Sequence, residues 1–219
     1  MDLFGLVATR YDRIFRYHGP EALLNGLLPQ PGDRVLDIGG GTGRVSATFG
    51  NGLQVVVLDP SPGMLGEAQG KGLHVCSGIA ERLPFPTASF QRIVMVDAFH
   101  HLLDQRAAAG ELLRVLRPGG RLVVEEPDIR QRVVQFAALM ERTLRMRSTF
   151  FSQADTRAIF EQAGATVLAI EEGPGTNFRL VVEPRNMDGQ DTQDVEHAPL
   201  RTAESAMGAV RGKGVQARL

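Results

Sequence analysis

The stretch VLDIGGGTGR, residues 35–44, decides the fold. The run RVLDI over 34–38 predicts a strand, and Gly39, Gly40, Gly41, Thr42 and Gly43 follow it at once. A glycine cluster directly after a strand lets a ligand approach the backbone at the carboxyl edge of a sheet. The next apolar run, QVVVL over 54–58, ends on Asp59. Continuous apolar runs of this kind suit parallel strands covered on both faces.

Working outward, Pro60-Ser61-Pro62 opens a predicted helix reaching Ala68, since the first N–H groups of a helix have no partner for proline to remove. Further strands are predicted at 73–77, 91–96 and 121–125, and a helix over 111–116 stopped by Pro118-Gly119-Gly120. Strands alternating with helices predict an α/β, doubly wound, Rossmann-like sheet. Ser152 is a candidate N-cap for a helix over 152–163 that Gly164 ends. Two strands, 166–171 and 178–183, are joined by a loop too short for anything but a hairpin. The mostly parallel sheet is therefore expected to end in an antiparallel edge.

Two helices, 3–17 and 21–28, are expected before the first strand. A third is expected over 130–146, with Val133, Phe136, Ala137, Met140 and Leu144 on one face. Residues 1–184 form one expected domain. Residues 185–219 are polar and small, without a sustained period, and read as a disordered tail.

The 219 residues are 43% hydrophobic and 22% charged, with net charge −1. Those values suit a soluble globular protein and suggest no phosphate-tracking surface, so nucleic acid is not an expected partner. The lone cysteine, Cys76, forms no internal disulfide and offers no zinc site of the thiolate kind. No stretch is long and apolar enough to span a membrane, and no signal peptide is evident, which reads as cytoplasmic.

The glycine loop also selects between cofactors. A dinucleotide site wants G-x-G-x-x-G, but Arg44 stands where the last glycine belongs. Asp37, two residues before the loop, would repel a pyrophosphate and attract a cation. S-adenosylmethionine (SAM) carries an ammonium and a sulfonium and no phosphate, so charge favours it over NAD. Asp59 sits where a carboxylate takes ribose hydroxyls, which alone fits either cofactor.

Four segments besides the glycine loop complete a pattern: VVVLDPSPGML (55–65), GIAERLPFPTASFQRIVMVDAFHHL (78–102), ELLRVLRPGGRLVVEEP (111–127) and FFSQADTRAIFEQAGA (150–165). From residue 3 to residue 183 the chain resembles the class I SAM-dependent methyltransferases, especially the type 11 group with the ubiquinone and menaquinone C-methyltransferases. The resemblance implies the class I methyltransferase fold and SAM as cofactor, with S-adenosylhomocysteine (SAH) as product. It implies that Asp37 and the backbone of Gly39, Gly40, Gly41 and Gly43 surround the methionine moiety. It assigns Asp59 to the ribose, and Pro60 and Met64 to the adenine. The family usually has an acidic residue at the position of Ile79. Here Ile79 offers apolar contact instead, with the backbone of Ala80 and nearby Glu81 left to read the adenine edge. Val96 and Asp97 should pass near the methionine end, and Tyr11 matches a Tyr-Asp pair often found beside the cofactor. After that pair the match to the quinone enzymes is partial, and no quinone substrate is assigned.

SAM supplies its own leaving group, so a base is needed only if the acceptor must lose a proton. His100 and His101 are the candidate bases. The competing reading packs them against cofactor or helix. Residues 128–151 are a candidate substrate cover, whose apolar stripe and Arg142, Arg145 and Arg147 suggest an apolar small-molecule acceptor with an anionic end. A packed helix with solvated arginines reads the same residues equally well. No metal cluster is evident. The alternatives to a methyltransferase are a SAM-binding protein without catalysis, on the strength of Ile79, and an NAD-dependent oxidoreductase.

Overall fold

The computed structural model describes residues 8, 12, 17, 20–132, 134–136 and 148–185. Most of the expected helix over 3–17, including Tyr11, most of that over 130–146 and the tail beyond Arg185 lie outside the described residues. The chain order is α1 (Pro20–Leu27), β1 (Arg34–Ile38), β2 (Gln54–Asp59), α2 (Pro62–Gly70), β3 (His74–Ser77), β4 (Phe90–Val96), α3 (Gln105–Val115), β5 (Leu116–Pro127), α4 (Gln153–Gln162), β6 (Ala165–Glu172) and β7 (Asn177–Pro184).

The seven strands form one sheet in the order β3-β2-β1-β4-β5-β7-β6. β3, β2, β1, β4 and β5 pair in parallel, and β7 is antiparallel to both β5 and β6. This is the expected α/β sheet with an antiparallel edge. The second strand of the hairpin, not the first, docks on the parallel part. The patterns explain why: Phe178–Val182 is a continuous buried run, whereas β6 is partly exposed throughout after Ala165. A strand buried on both faces belongs inside a sheet.

Two of the connections between parallel strands carry no full helix. Between β1 and β2 there is only a single 3-10 turn, Ser46–Thr48, because Gly50 and Gly52 end the run almost at once. Residues 78–89, between β3 and β4, form no helix and carry Pro84 and Pro86, which disfavour one. The helix predicted over 111–116 begins earlier, at Gln105, where the Asp104 carboxylate accepts from the N–H groups of Arg106 and Ala107. β5 also begins earlier than residue 121. Phe90 pairs with Leu116 and Arg92 with Arg121, so Pro118-Gly119-Gly120 is an irregular bulge within a strand rather than a loop before it. Ser152 caps α4 as expected, in a reciprocal capping box with Asp155.

Side chains alternate across the sheet. Leu36, Ile38, Ile93, Met95, Leu122 and Val124 face α3 and α4 through Leu112 and Phe160. Val35, Val94, Val96 and Val123 face α1 through Leu23 and Leu27. Val57 packs on Leu65 and Ala68 of α2. Helices thus cover both faces, which leaves the carboxyl ends of β1, β2, β4 and β5 as the open edge of the layers.

One buried charge pair interrupts the apolar face under α1. Arg179 of β7 and Glu125 of β5 are register partners, 2% and 1% exposed, and the guanidinium donates to Glu125 Oε2 at 2.6 Å and 3.2 Å. The Tyr17 hydroxyl donates to the same oxygen at 3.5 Å. Removing one member leaves an uncompensated buried charge. Arg179→Leu is therefore expected to lower unfolding free energy by about 3–5 kcal/mol. Urea denaturation checks this, and Arg179→Leu combined with Glu125→Leu should recover much of the loss.

Candidate active site

Asp37 lies at the end of β1 beneath the glycine loop. Its Oδ2 accepts from Ser46 Oγ at 2.6 Å. The loop is pressed onto its neighbours where side chains are missing. A Cβ on Gly40 would come within 2.5 Å of Asp37 Cγ, and one on Gly39 within 2.6 Å of Ala98 Cβ. The N–H groups of Gly39 and Gly40 donate to Leu58 O, which fixes the loop against β2.

Asp59, at the end of β2, joins three elements. Its Oδ2 accepts from Gly41 N at 3.0 Å and its Oδ1 from Ser61 N at 2.8 Å. Ser61 Oγ in turn accepts from Met64 N and caps α2. A Cβ on Gly41 would lie 3.7 Å from Met64 Sδ and 4.0 Å from Asp59 Oδ2. Bare backbone, a carboxylate and an apolar sulfur therefore surround one spot. Pro60 is exposed beside them, Ile79 is 49% exposed and Ala80 is buried. The Glu81 carboxylate instead accepts from the N–H groups of Leu103 and Asp104, so its side chain serves the loop after β4.

Val96 is buried at the end of β4. Asp97 follows in the left-handed region, φ 52°, with its carboxylate held by Arg44 at 2.9 Å and by the Asn177 amide at 3.0 Å. A non-glycine residue in this region is uncommon and tends to mark functional sites. Arg44 is thus more than a substitute for a dinucleotide glycine: it ties the glycine loop to the loop after β4.

That second loop turns through the 3-10 segment Phe99–His101. Glu126 of β5, 4% exposed, organises it. Its Oε1 accepts from Ala98 N at 2.8 Å and Phe99 N at 2.7 Å, and its Oε2 from His100 N at 3.4 Å. The same Oε2 stands 2.5 Å from His100 Nδ1. Phe150 stacks on the His100 ring at 4.4 Å, and Thr149 N donates to His100 O. His101 Nδ1 is 3.0 Å from Ser148 Oγ. Burial, aided by neighbouring His100, pushes the His101 pKa down to about 4, so its ring is neutral at physiological pH. The two candidate bases are thereby separated: His101 is a poor proton acceptor and His100 carries the carboxylate partner.

Of the expected site residues, the structure gathers the glycine loop, Asp37, Asp59 and Met64 on one side and Val96, Asp97, His100 and His101 on the other. Tyr11 lies outside the described residues, but its neighbour Asp12 accepts from Thr42 Oγ1 of the glycine loop and from Lys71 Nζ, each at 2.5 Å. Of the expected cover, Val134 is buried and Phe136 is 66% exposed, so Phe136 does not sit on a packed stripe. Sequence reasoning missed the roles of Glu126 and Arg44, whereas Asp12 belongs to the Tyr-Asp pair already singled out. Two acidic residues ending an apolar strand, Val123-Val124-Glu125-Glu126, were the available signal for the first.

The residues fit SAM better than a dinucleotide. Asp59 offers carboxylate oxygens to a diol, and Met64 and Ile79 offer apolar surface to a flat ring. A pyrophosphate would meet the Asp37 carboxyl below the loop and would find no full helix whose N-terminus could hold it, only the turn Ser46–Thr48. Among the described residues no group of three or more His, Cys, Asp or Glu is placed to hold a metal ion, and no helix is long and apolar enough to cross a membrane.

A mostly parallel α/β sheet of this strand order, with a glycine loop after β1 and a carboxylate at the end of β2, has the class I methyltransferase fold. The profile of the methyltransferase domain matches residues 36–124. The demethylmenaquinone methyltransferase of Beutenbergia cavernae is 38% identical over 138 residues, covering 57% of this chain and 56% of that protein. The ubiquinone/menaquinone biosynthesis C-methyltransferase of Vibrio campbellii is 37% identical over 109 residues, covering 44% and 42%. The crystal structure of a SAM-dependent methyltransferase from Aquifex aeolicus shares the fold with TM-score 0.63 at 22% identity, over 82% of this chain and 95% of that one. The chain spans about half the length of the curated relatives it matches. Over about half its length the chain is therefore similar to proteins named as methyltransferases, and residues 36–124 match the methyltransferase domain.

Asp37 carries a pH dependence. Burial pushes its pKa up from 3.8 to about 7, against the lowering effects of the Ser46 hydrogen bond and of Arg44. A carboxyl whose pKa is raised by folding stabilises the fold fully below its unfolded value, and this contribution is lost as pH rises through the folded value. The window is therefore about pH 4 to 7. In the cofactor-free protein, the unfolding free energy of Asp37→Asn should decline less between pH 5 and pH 8 than that of the parent, a difference on the order of a few kcal/mol. Scanning calorimetry across that range checks this.

Proposed function

We propose that the protein transfers a methyl group from SAM to a small-molecule acceptor. The observation that carries the proposal is the pairing of Asp59 with a glycine loop that offers a cation a buried carboxyl but offers phosphate no helix N-terminus. When bound, SAM supplies an activated methyl group on a neutral leaving group. The chain's task is then to bind, align and exclude water.

In this reading Asp59 would hold the ribose hydroxyls, with Pro60, Met64 and Ile79 bordering the adenine and the backbone of Ala80 facing its edge. The glycine loop, Asp37, Val96 and Asp97 would surround the methionine end, with Tyr11 beside it. His100 and His101 lie at the acceptor side, where His100 is the stronger base candidate. Two of the relatives are named for methylation in quinone biosynthesis. That supports an apolar acceptor, with residues 128–151 as its cover. The absence of both a membrane helix among the described residues and a cysteine framework supports a cytoplasmic setting.

A SAM-binding protein without catalysis is the second reading, favoured by exposed Ile79 where the family usually has an acidic residue. Calorimetric titration with SAM, SAH and NAD tests the proposal. Micromolar SAM and SAH binding is expected, with none for NAD. Asp59→Ala should weaken SAM at least about tenfold, as loss of a charged hydrogen-bond partner requires. Binding of NAD alone would sink the proposal, whereas SAM binding without turnover on any acceptor would favour the second reading.

A further inference from the structure

The order of the strands sets where each part of an elongated cofactor lies. β3, β2 and β1 are neighbours in that order and run in parallel, so their carboxyl ends share one edge. Asp37 stands near the end of β1 and Asp59 ends β2. SAM is linear: ammonium end, sulfonium, ribose and purine follow one another. With the cationic end over Asp37 and the ribose diol at Asp59, the next step in the same direction brings the purine to the exit of β3. That exit is joined to Asp59 directly. Ser77 is the register partner of Asp59, and Gly78 N donates to Asp59 O at 3.3 Å.

Residues 78–82 are Gly, Ile, Ala, Glu and Arg, closed into a turn in which Arg82 N donates to Ile79 O. The 6-amino group of adenine is a donor and is read by an acceptor. Of these five side chains only that of Glu81 accepts, and its Oε1 takes the N–H groups of Leu103 and Asp104 at 2.8 Å and 3.4 Å. Arg82 donates only. Ala80 is buried, whereas Ile79 is 49% exposed. Leu103, 71% exposed, stands beside the same turn on the loop that Glu81 holds. A hydrocarbon wall grips a purine through its ring and gains from apolar atoms added at its edge. A carboxylate in the place of Ile79 would instead select the amino group, because hydrogen bonds to charged groups are the stronger ones.

We propose that Ile79 sets the cofactor specificity of this site: the purine is held by apolar contact, its 6-position is left unread and open toward Leu103, and the site takes SAM-type cofactors whose 6-amino group is missing or carries an apolar substituent. The inference rests on the SAM reading of Asp37 and Asp59.

Calorimetric titration of the full chain compares SAH with two analogues, one with hydrogen in place of the 6-amino group and one with a benzyl group on its nitrogen. Both keep the ring nitrogens, the ribose and the amino-acid end unchanged. The parent is expected to bind the 6-hydrogen analogue within about fivefold of SAH, and the benzyl analogue at least as tightly as SAH. Ile79→Asp places a carboxylate at a half-exposed position that tolerates it. This variant should shift the ratio of the first two affinities at least about tenfold toward SAH. Leu103→Ser should lower the affinity for the benzyl analogue relative to SAH by about threefold or more.

A parent that prefers SAH to the 6-hydrogen analogue by more than fivefold overturns the proposal, and loss of that preference in Glu81→Gln would name Glu81 as the reader. A smaller shift in Ile79→Asp also overturns it, since the purine then lies away from residue 79. Weaker binding of the benzyl analogue than of SAH by the parent, or a benzyl-to-SAH ratio unmoved by Leu103→Ser, refutes the open edge toward Leu103. Failure of the parent to bind SAH and both analogues overturns the SAM reading instead.

Discussion

The glycine loop rests directly on a carboxyl group, and the rest of the open edge is arranged around that contact. Gly40 lies so close to Asp37 that no side chain fits between them, and Gly39 is as close to Ala98. When ionised, the Asp37 carboxyl beneath the loop would repel a phosphate above it. The loop has every reason to accept a cation, because Asp37, its pKa raised by burial, becomes easier to ionise as positive charge arrives above it.

The same closeness links the two halves of the site. With Ala98 against Gly39 and Arg44 paired to Asp97, the loop after β1 cannot move without the loop after β4. The second loop is in turn fixed by Glu126, so the end of β5 sets the position of residues that no β5 side chain resembles in chemistry. The geometry of these two loops therefore depends on the ends of β1, β4 and β5 together.

Much of this was legible in the chain. The parallel strands announced themselves as unbroken apolar runs, and Asp59 announced itself by its place at the end of one. The hairpin edge followed from a loop too short for a crossover. What stayed hidden was long-range pairing. Nothing near Arg44 signals Asp97, 53 residues away, and nothing near His100 signals Glu126. The bulge at Pro118-Gly119-Gly120 was missed because proline and glycine usually end an element rather than interrupt one.

Glu125 and Glu126 show how strand geometry divides neighbouring residues between fold and chemistry. Consecutive side chains on a strand point to opposite faces. Glu125 therefore falls on the α1 face, where Arg179 is its register partner and Tyr17 its second contact. Glu126 falls on the α3 face, where the turn after β4 presents three N–H groups and an imidazole. Exchanging the neutral and charged forms at the first position disturbs the joint between β5 and β7. The same exchange at the second disturbs the His100 ring and the turn that carries it. Two identical residues in sequence thus answer to different constraints, and only the direction in which β5 presents each of them tells the two apart.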